Sequence, residues 1–221
     1  MGINLKDVTL VVVTSVKIQE NVKSLVKSMQ GIEYGSVKFI SHERPHNLPL
    51  NVEYVSCNYL DYTGFSRFTF HELYKYVDTS HCLLVHHDGF VTDPHLWEEE
   101  FLKFDYIGAP WVYLDDVFLT DYGEHVRVGN AGFCLRSRKL LEMPTKLGLD
   151  LQHRQGWYND DGNYCVYHRK TFLENGIKYA PIEVAARFST ECYIKGITNE
   201  HTFGFHGAGN PKVSLLNSII I

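Results

Sequence analysis

The chain has 221 residues, enough for one domain with a substantial core, and its 44% hydrophobic and 21% charged content is that of an ordinary globular protein. A formal net charge of −5 provides no basic field for nucleic acid phosphates, which argues against a polymer partner held through a basic patch. Aromatic residues (14 Tyr, 13 Phe and 3 Trp) and 12 His are abundant, which suits either an aromatic core or stacking on bases and sugar rings.

The opening stretch MGINLKDVTLVVVTSV contains no apolar run of membrane-spanning length and no small-residue cleavage site. Gly2 follows Met1, but Lys6 stands where a myristoylation signal wants Ser or Thr. Within this stretch, Asp7 to Val16 reads as a strand buried on both faces. Ile18, Val22, Leu25, Val26 and Met29 then recur at helical spacing, with Gly31 as a stop. SVKFIS (Ser36 to Ser41) and NVEYVSC (Asn51 to Cys57) are two further strands, so the chain begins as a parallel, Rossmann-like sheet.

Phe65 to Val77 is expected to be helical. His81 to Asp93 gives a short strand, a polar cluster and a second strand. LWEEEFLKF is expected as a helix, Val126 to Met143 as a glycine-broken strand plus helix, and Gly162 to Gly176 as another helix. FGFHGAGNP is too glycine-rich for a helix or a regular strand, and the apolar run Leu215 to Ile221 offers either an oligomer interface or a buried final strand. Five widely spaced cysteines without a C-x-x-C pair indicate neither a zinc ribbon nor a disulfide framework, and a reducing cytoplasm fits them. No repeat or linker divides the chain.

Four clusters carry chemistry. In LLVHHDGF, polarity switches abruptly at His86, His87 and Asp88 after a buried strand, and ligands of open α/β sheets bind at the carboxyl ends of strands. Asp88, with His86 two residues away, suits a Mn²⁺ or Mg²⁺ ion, whereas Asp88-Gly89 is equally a good hairpin turn. In VGNAGFCLRSR, Gly129 and Gly132 flank Asn130 and Ala131 and allow close backbone approach to a ligand, or form a simple bulge. In WYNDDGNY, Asp160 and Asp161 precede a helix; one carboxylate is accounted for as a cap, and mutual repulsion could raise the other toward the pKa of a general base. His206 in FGFHG is a weak signal by itself.

In order and spacing, LLVHHDGF, FDYIGAPW, VGNAGFCLRSR, NDDGNY, APIEVAARFSTE and FGFHG together resemble the GT-A-fold glycosyltransferases, in particular a family of transferases catalogued as a domain of unknown function. The resemblance implies a single α/β domain over residues 1–221, a GT-A-like (Rossmann-like), mostly parallel mixed sheet flanked by helices. It implies a nucleotide sugar as donor, a UDP-sugar foremost, an acceptor hydroxyl on an unknown glycan, glycoconjugate or protein, and a divalent cation. Asp88 corresponds to the last aspartate of a D-x-D motif and His206 to the histidine that completes the metal shell. Asn130, Ala131 and Gly132 correspond to the segment beside the donor sugar, Thr14 and Ser15 to the nucleotide end of the first strand, and Asp161 or Asp160 to the base of inverting members.

His86 departs from the pattern by replacing the first aspartate. It could ligate the metal, bond a phosphate or ribose (as could His87), or mark a metal-independent variant. Arg67 is a candidate phosphate or base contact, and Trp111 and Trp157 are candidate sugar platforms, each with ordinary packing as the alternative. Two other functions remain open: a metal-dependent nucleotidyltransferase or phosphoesterase, and a module that binds nucleotide sugar without turnover.

Overall fold

The computed structural model describes residues 2–111, 118–153, 159–207, 209 and 211–219. Its first half runs β1 (Ile3–Val13), α1 (Ile18–Met29), β2 (Ile32–Ser41), β3 (Glu53–Ser56), α2 (Tyr62–His71), β4 (His81–Val85) and β5 (Gly89–Val91). Short strands β6 (Tyr106–Ile107), β7 (Ala109–Pro110) and β8 (Val128–Gly129) follow, then β9 (Phe133–Ser137) and α3 (Arg138–Leu147). The remainder holds α4 (Asp160–Gly162), α5 (Arg169–Glu174), α6 (Ile182–Phe188), β10 (Ser189–Thr190) and β11 (Gly204–His206).

The main sheet has 6 strands in the order β3-β2-β1-β4-β9-β6. β3, β2, β1 and β4 are mutually parallel, and β9 runs antiparallel between β4 and β6. This is the mostly parallel, helix-flanked mixed sheet that the sequence implies. Period-two alternation sorts side chains onto two faces. Leu10, Val12, Leu83, Val85, Phe133 and Leu135 enter one core layer with Val22 and Leu25 of α1 and Phe188 of α6. Val11, Val13, Leu84, Cys82 and Cys134 enter the other with Phe70 of α2, Leu140 of α3 and Phe172 of α5. Burial on both faces explains the unbroken apolar run of β1.

Three expectations fail, each for a local reason. LWEEEFLKF forms only a 3₁₀ turn over Glu99–Lys103. Glu98 and Glu100 both bond Arg187, at 2.8 and 2.7 Å, and residues two apart do not share a face of an α-helix. The stretch from Gly162 to Gly176 is not one helix, because α4 passes into a π-helical turn, Asn163–Tyr167, before α5. The buried Asn163 side chain there bonds the backbone of Gln152 and of Asn159, which holds the wider turn.

The third concerns the glycine-rich end, where Gly204–His206 is a strand after all, pairing Phe205 with Phe90. Gly204 serves packing there: a Cβ would lie 2.1 Å from the Phe133 ring. Among the described residues the apolar end forms no strand either. Pro211–Ser218 is 3₁₀, Leu216 and Ile219 pack on Phe90 and Phe205, and Leu215 is exposed. Among the described residues no helix is long and apolar enough to cross a membrane.

Candidate functional site

The parallel strands β1 and β4 both end where Thr14, Ser15 and His86 begin, and β9 enters the sheet from the same edge because Phe133 pairs with Val85. A cavity of about 510 Å³ opens at this edge, within the ~300–1,000 Å³ range of small-molecule sites. Thr14, Ser15, His86, His87, Asn130, Ala131, Gly132, Asp160, Asp161 and His206 all line it. Segments distant in the chain therefore meet in one place.

The turn reading of Asp88 holds, and it leaves room for the ligand reading. His86 and Gly89 exchange both backbone hydrogen bonds, at 2.9 and 3.0 Å, so His87 and Asp88 form a two-residue hairpin. β5 continues from that hairpin and pairs with β11, setting His206 opposite Gly89. His206 Nε2 then lies 3.6 Å from Asp88 Oδ1. Ligand atoms of His86, Asp88 and His206 all fall within 4.8 Å of one another. Gly132 makes this possible, since a Cβ there would sit 2.0 Å from the His206 ring.

Asn130 locks the cluster from the side. Its φ of 95° is unusual for a residue with a side chain, and its carboxamide oxygen accepts from the N–H of Gly132 and Phe133 at 2.7 and 3.1 Å. Its Nδ2 lies 2.8 Å from His206 Nδ1, which is also 3.2 Å from Glu191 Oε1. The Tyr106 hydroxyl donates to the Asn130 carbonyl at 2.5 Å.

The histidines differ in electrostatics. Burial, then the charge of His206, pushes His86 down to about 4 against the pull of Asp88, so its imidazole is neutral near pH 7. Burial disfavours charge on His206 too, but the hydrogen bond to Glu191 and the Asp88 carboxylate outweigh it and raise its pKa. His87 is lowered, chiefly by burial, and its Nε2 meets Lys17 Nζ at 2.9 Å. His86 Nε2 is buried with no hydrogen-bond partner, and an orphaned nitrogen facing a carboxylate and a second imidazole fits a divalent cation. Two nitrogens and one oxygen form a mixed donor set, less suited to Mg²⁺, which prefers oxygen throughout.

The acidic pair divides. Asp160, only 2% exposed, lies 2.7 Å from Nη2 of Arg136, which is fully buried between the rings of Tyr106 and Tyr164. Asp161 is half-buried and lines the cavity, and its carboxylate accepts from the Gly162 N–H at 2.8 Å. Burial, then the charge of Asp160, lifts it to about 7. Neither carboxylate caps a helix that follows, as the capping reading required. Both belong to the first turn of α4, whose N-cap Asn159 makes no side-chain cap bond.

Arg67 is exposed on α2 and is not among the residues lining the cavity; it lies near enough to His71 to help lower that imidazole, after burial. Trp111 is buried on Gly129 and against Phe118, and Trp157 lies outside the described residues. Two residues were missed. Glu191 stands in the quoted APIEVAARFSTE without a role, and Arg136 was readable only as a charge at an inward position of β9.

Comparison with known proteins bears on the family and the fold. A family profile described as "Protein of unknown function (DUF5672)" matches residues 49–206. No curated protein sequence matches significantly. A structure of the galactosyltransferase LgtC in complex with donor and acceptor sugar analogues aligns at TM-score 0.57 and 13% identity, covering 91% of this chain and 87% of that one. An active-site mutant of LgtC aligns at TM-score 0.55 and 13% identity, over 92% and 88% of the two chains. At such identity the likeness establishes the fold, which is GT-A.

Proposed function

The chain belongs to the DUF5672 family, whose description assigns no activity, and we propose from its site that it is a glycosyltransferase moving a sugar from a nucleotide donor, a UDP-sugar foremost, to an acceptor hydroxyl. One observation carries this reading: His86, His206 and Asp161 line a cavity on the carboxyl edge of a GT-A sheet, and a ligand atom of Asp88 lies within 4.8 Å of those of the two histidines. The similarity to LgtC, solved with donor and acceptor sugar analogues, supports it.

In this reading His86, Asp88 and His206 hold a divalent cation, Mn²⁺ foremost, which when bound supplies positive charge against the donor diphosphate. Thr14 and Ser15 flank the nucleotide at the end of β1, and Asn130 to Gly132 border the donor sugar. Asp161 accepts the proton of the acceptor hydroxyl, since a carboxyl raised to about 7 is matched to general base work near neutrality. Asp160 is reserved for Arg136 and serves as support. Attack opposite the leaving diphosphate gives inversion at the anomeric carbon. The cavity also suits binding without turnover, so the test is catalytic: incubate the protein with UDP-sugars, Mn²⁺ and a panel of acceptors. Acceptor-dependent release of UDP, with inverted product by NMR, is expected. Release independent of acceptor would instead indicate a phosphoesterase.

A further inference from the structure

A second cavity, about 320 Å³, lies beside the first and shares Asp161 and Glu191 with it. Anything bound in either space therefore reaches the same carboxylates. The walls nevertheless differ. Trp111 and Phe118 meet at 4.6 Å and 54° on the second cavity alone, with Val166 beside them. The Trp111 wall is held in place: its ring occupies the space a side chain at Gly129 would need, since a Cβ there would lie 2.0 Å from it, and its backbone N–H bonds the Arg127 carbonyl at 2.9 Å. The polar lining consists of Asn159, Asp161 and Glu191, and among the described residues no lysine or arginine lines it.

We propose that this second cavity is the acceptor subsite and that it takes a neutral saccharide, an inference that rests on the transferase reading above. A pyranose offers what the lining lacks: apolar C–H faces for the Trp111 and Phe118 wall, and hydroxyl donors for Asp161, Glu191 and the Asn159 amide. The volume sits at the small end of the ~300–1,000 Å³ range of ligand sites, which suits a sugar ring entering end-on. Glu191 already pairs with His206 Nδ1 at 3.2 Å, and no lysine or arginine among the described residues lines the cavity to meet an anion, which disfavours uronic acids, sialic acids and phosphorylated acceptors beside its two acidic groups. The hydroxyl delivered to Asp161 gives its proton to that carboxylate as its oxygen bonds to the donor sugar's anomeric carbon. The bond from that carbon to the diphosphate breaks, and the electron pair leaves with the diphosphate. No further reactant is needed.

Cys192, a half-buried thiol outside any disulfide, lines this cavity and not the larger one, and it serves as a reporter. In a Cys57→Ser background the other cysteines, Cys82, Cys134 and Cys165, are buried. The rate at which N-ethylmaleimide modifies Cys192 is followed by mass spectrometry with UDP and Mn²⁺ present throughout. The additions compared are lactose, cellobiose, maltose, chitobiose, a glucuronate-ended disaccharide and a serine/threonine peptide. At least one neutral disaccharide is expected to slow modification several-fold, with no effect of the glucuronate or the peptide. Cys192→Trp, which fills the cavity, is expected to remove that saccharide binding in calorimetry while Mn²⁺-dependent UDP binding persists. Modification that no neutral disaccharide slows, protection by the peptide or the glucuronate, or saccharide binding that survives Cys192→Trp overturns the proposal. Failure of the transferase reading looks different, since UDP and Mn²⁺ then fail to bind the unaltered protein.

Discussion

Two adjacent aspartates with the same chemistry are separated by their surroundings. Arg136 Nη2 lies 2.7 Å from Asp160, whereas Asp161 has burial and a neighbouring charge against it and no cation at bonding distance among the described residues. Asp161→Asn is therefore expected to lower transfer by ~10²–10⁴-fold with donor affinity nearly unchanged, measured by initial rates and calorimetry. The same substitution has a signed effect on stability. Asp161 keeps its proton in the fold up to about pH 7, while the unfolded chain loses it near the ordinary carboxylate pKa of ~3.9. Wild-type stability is therefore penalised progressively as pH rises through that window, and fully above it. Asp161→Asn should raise Tm relative to wild type at pH 8 and leave it little changed at pH 4. A Tm difference independent of pH would remove the perturbed carboxyl.

Glycine acts at the same scale. Gly132→Ala places a methyl 2.0 Å from the His206 ring, so the imidazole must leave its position facing Asp88. Mn²⁺ affinity in this variant, read by electron paramagnetic resonance, should fall by ~10–100-fold, the scale of a lost supporting contact at a metal site. An unchanged affinity would show that His206 is not a ligand.

Between elements, the tie that matters is Arg136 on β9 with Asp160 on α4. It crosses a core layer otherwise made of Val11, Leu84, Cys134 and their apolar neighbours. Removing one partner of a buried pair leaves the other charged and unsolvated, so Arg136→Met should cost about 3–5 kcal/mol in chemical denaturation. The double variant Arg136→Met, Asp160→Leu should recover most of that loss. Equal losses in the single and double variants would mean that the guanidinium acts only through its packing on Tyr106 and Tyr164. Elements were legible where one periodicity governed a whole segment. α1 shows its apolar stripe and its glycine stop, and β1 its buried run. They were not legible where a distant residue dictated the backbone: Arg187 drawing Glu98 and Glu100 together, Asn163 widening a helical turn, or Phe133 requiring Gly204 in a strand. Sequence spacing carries no trace of such partners.

For the molecule as a whole, topology assembles the site. Parallel strands deliver Thr14 and His86 to one edge, the antiparallel β9 brings Asn130 to Gly132 to the same edge, and β11 returns His206 against the hairpin of Asp88. The motifs were visible in sequence, as was their order. Their convergence rested on family resemblance, because local patterns do not specify which strand lies beside which. Arg67 shows the limit: as a candidate phosphate or base contact on the preceding helix it is exposed and outside the cavity lining. The most direct measurement is a calorimetric titration of UDP into the protein with and without Mn²⁺, repeated on Asp88→Ala. Binding that requires Mn²⁺ and weakens by at least about tenfold in Asp88→Ala is expected. Equal binding by both proteins, indifferent to the metal, would contradict a metal-assisted nucleotide-sugar site at the carboxyl edge of the sheet.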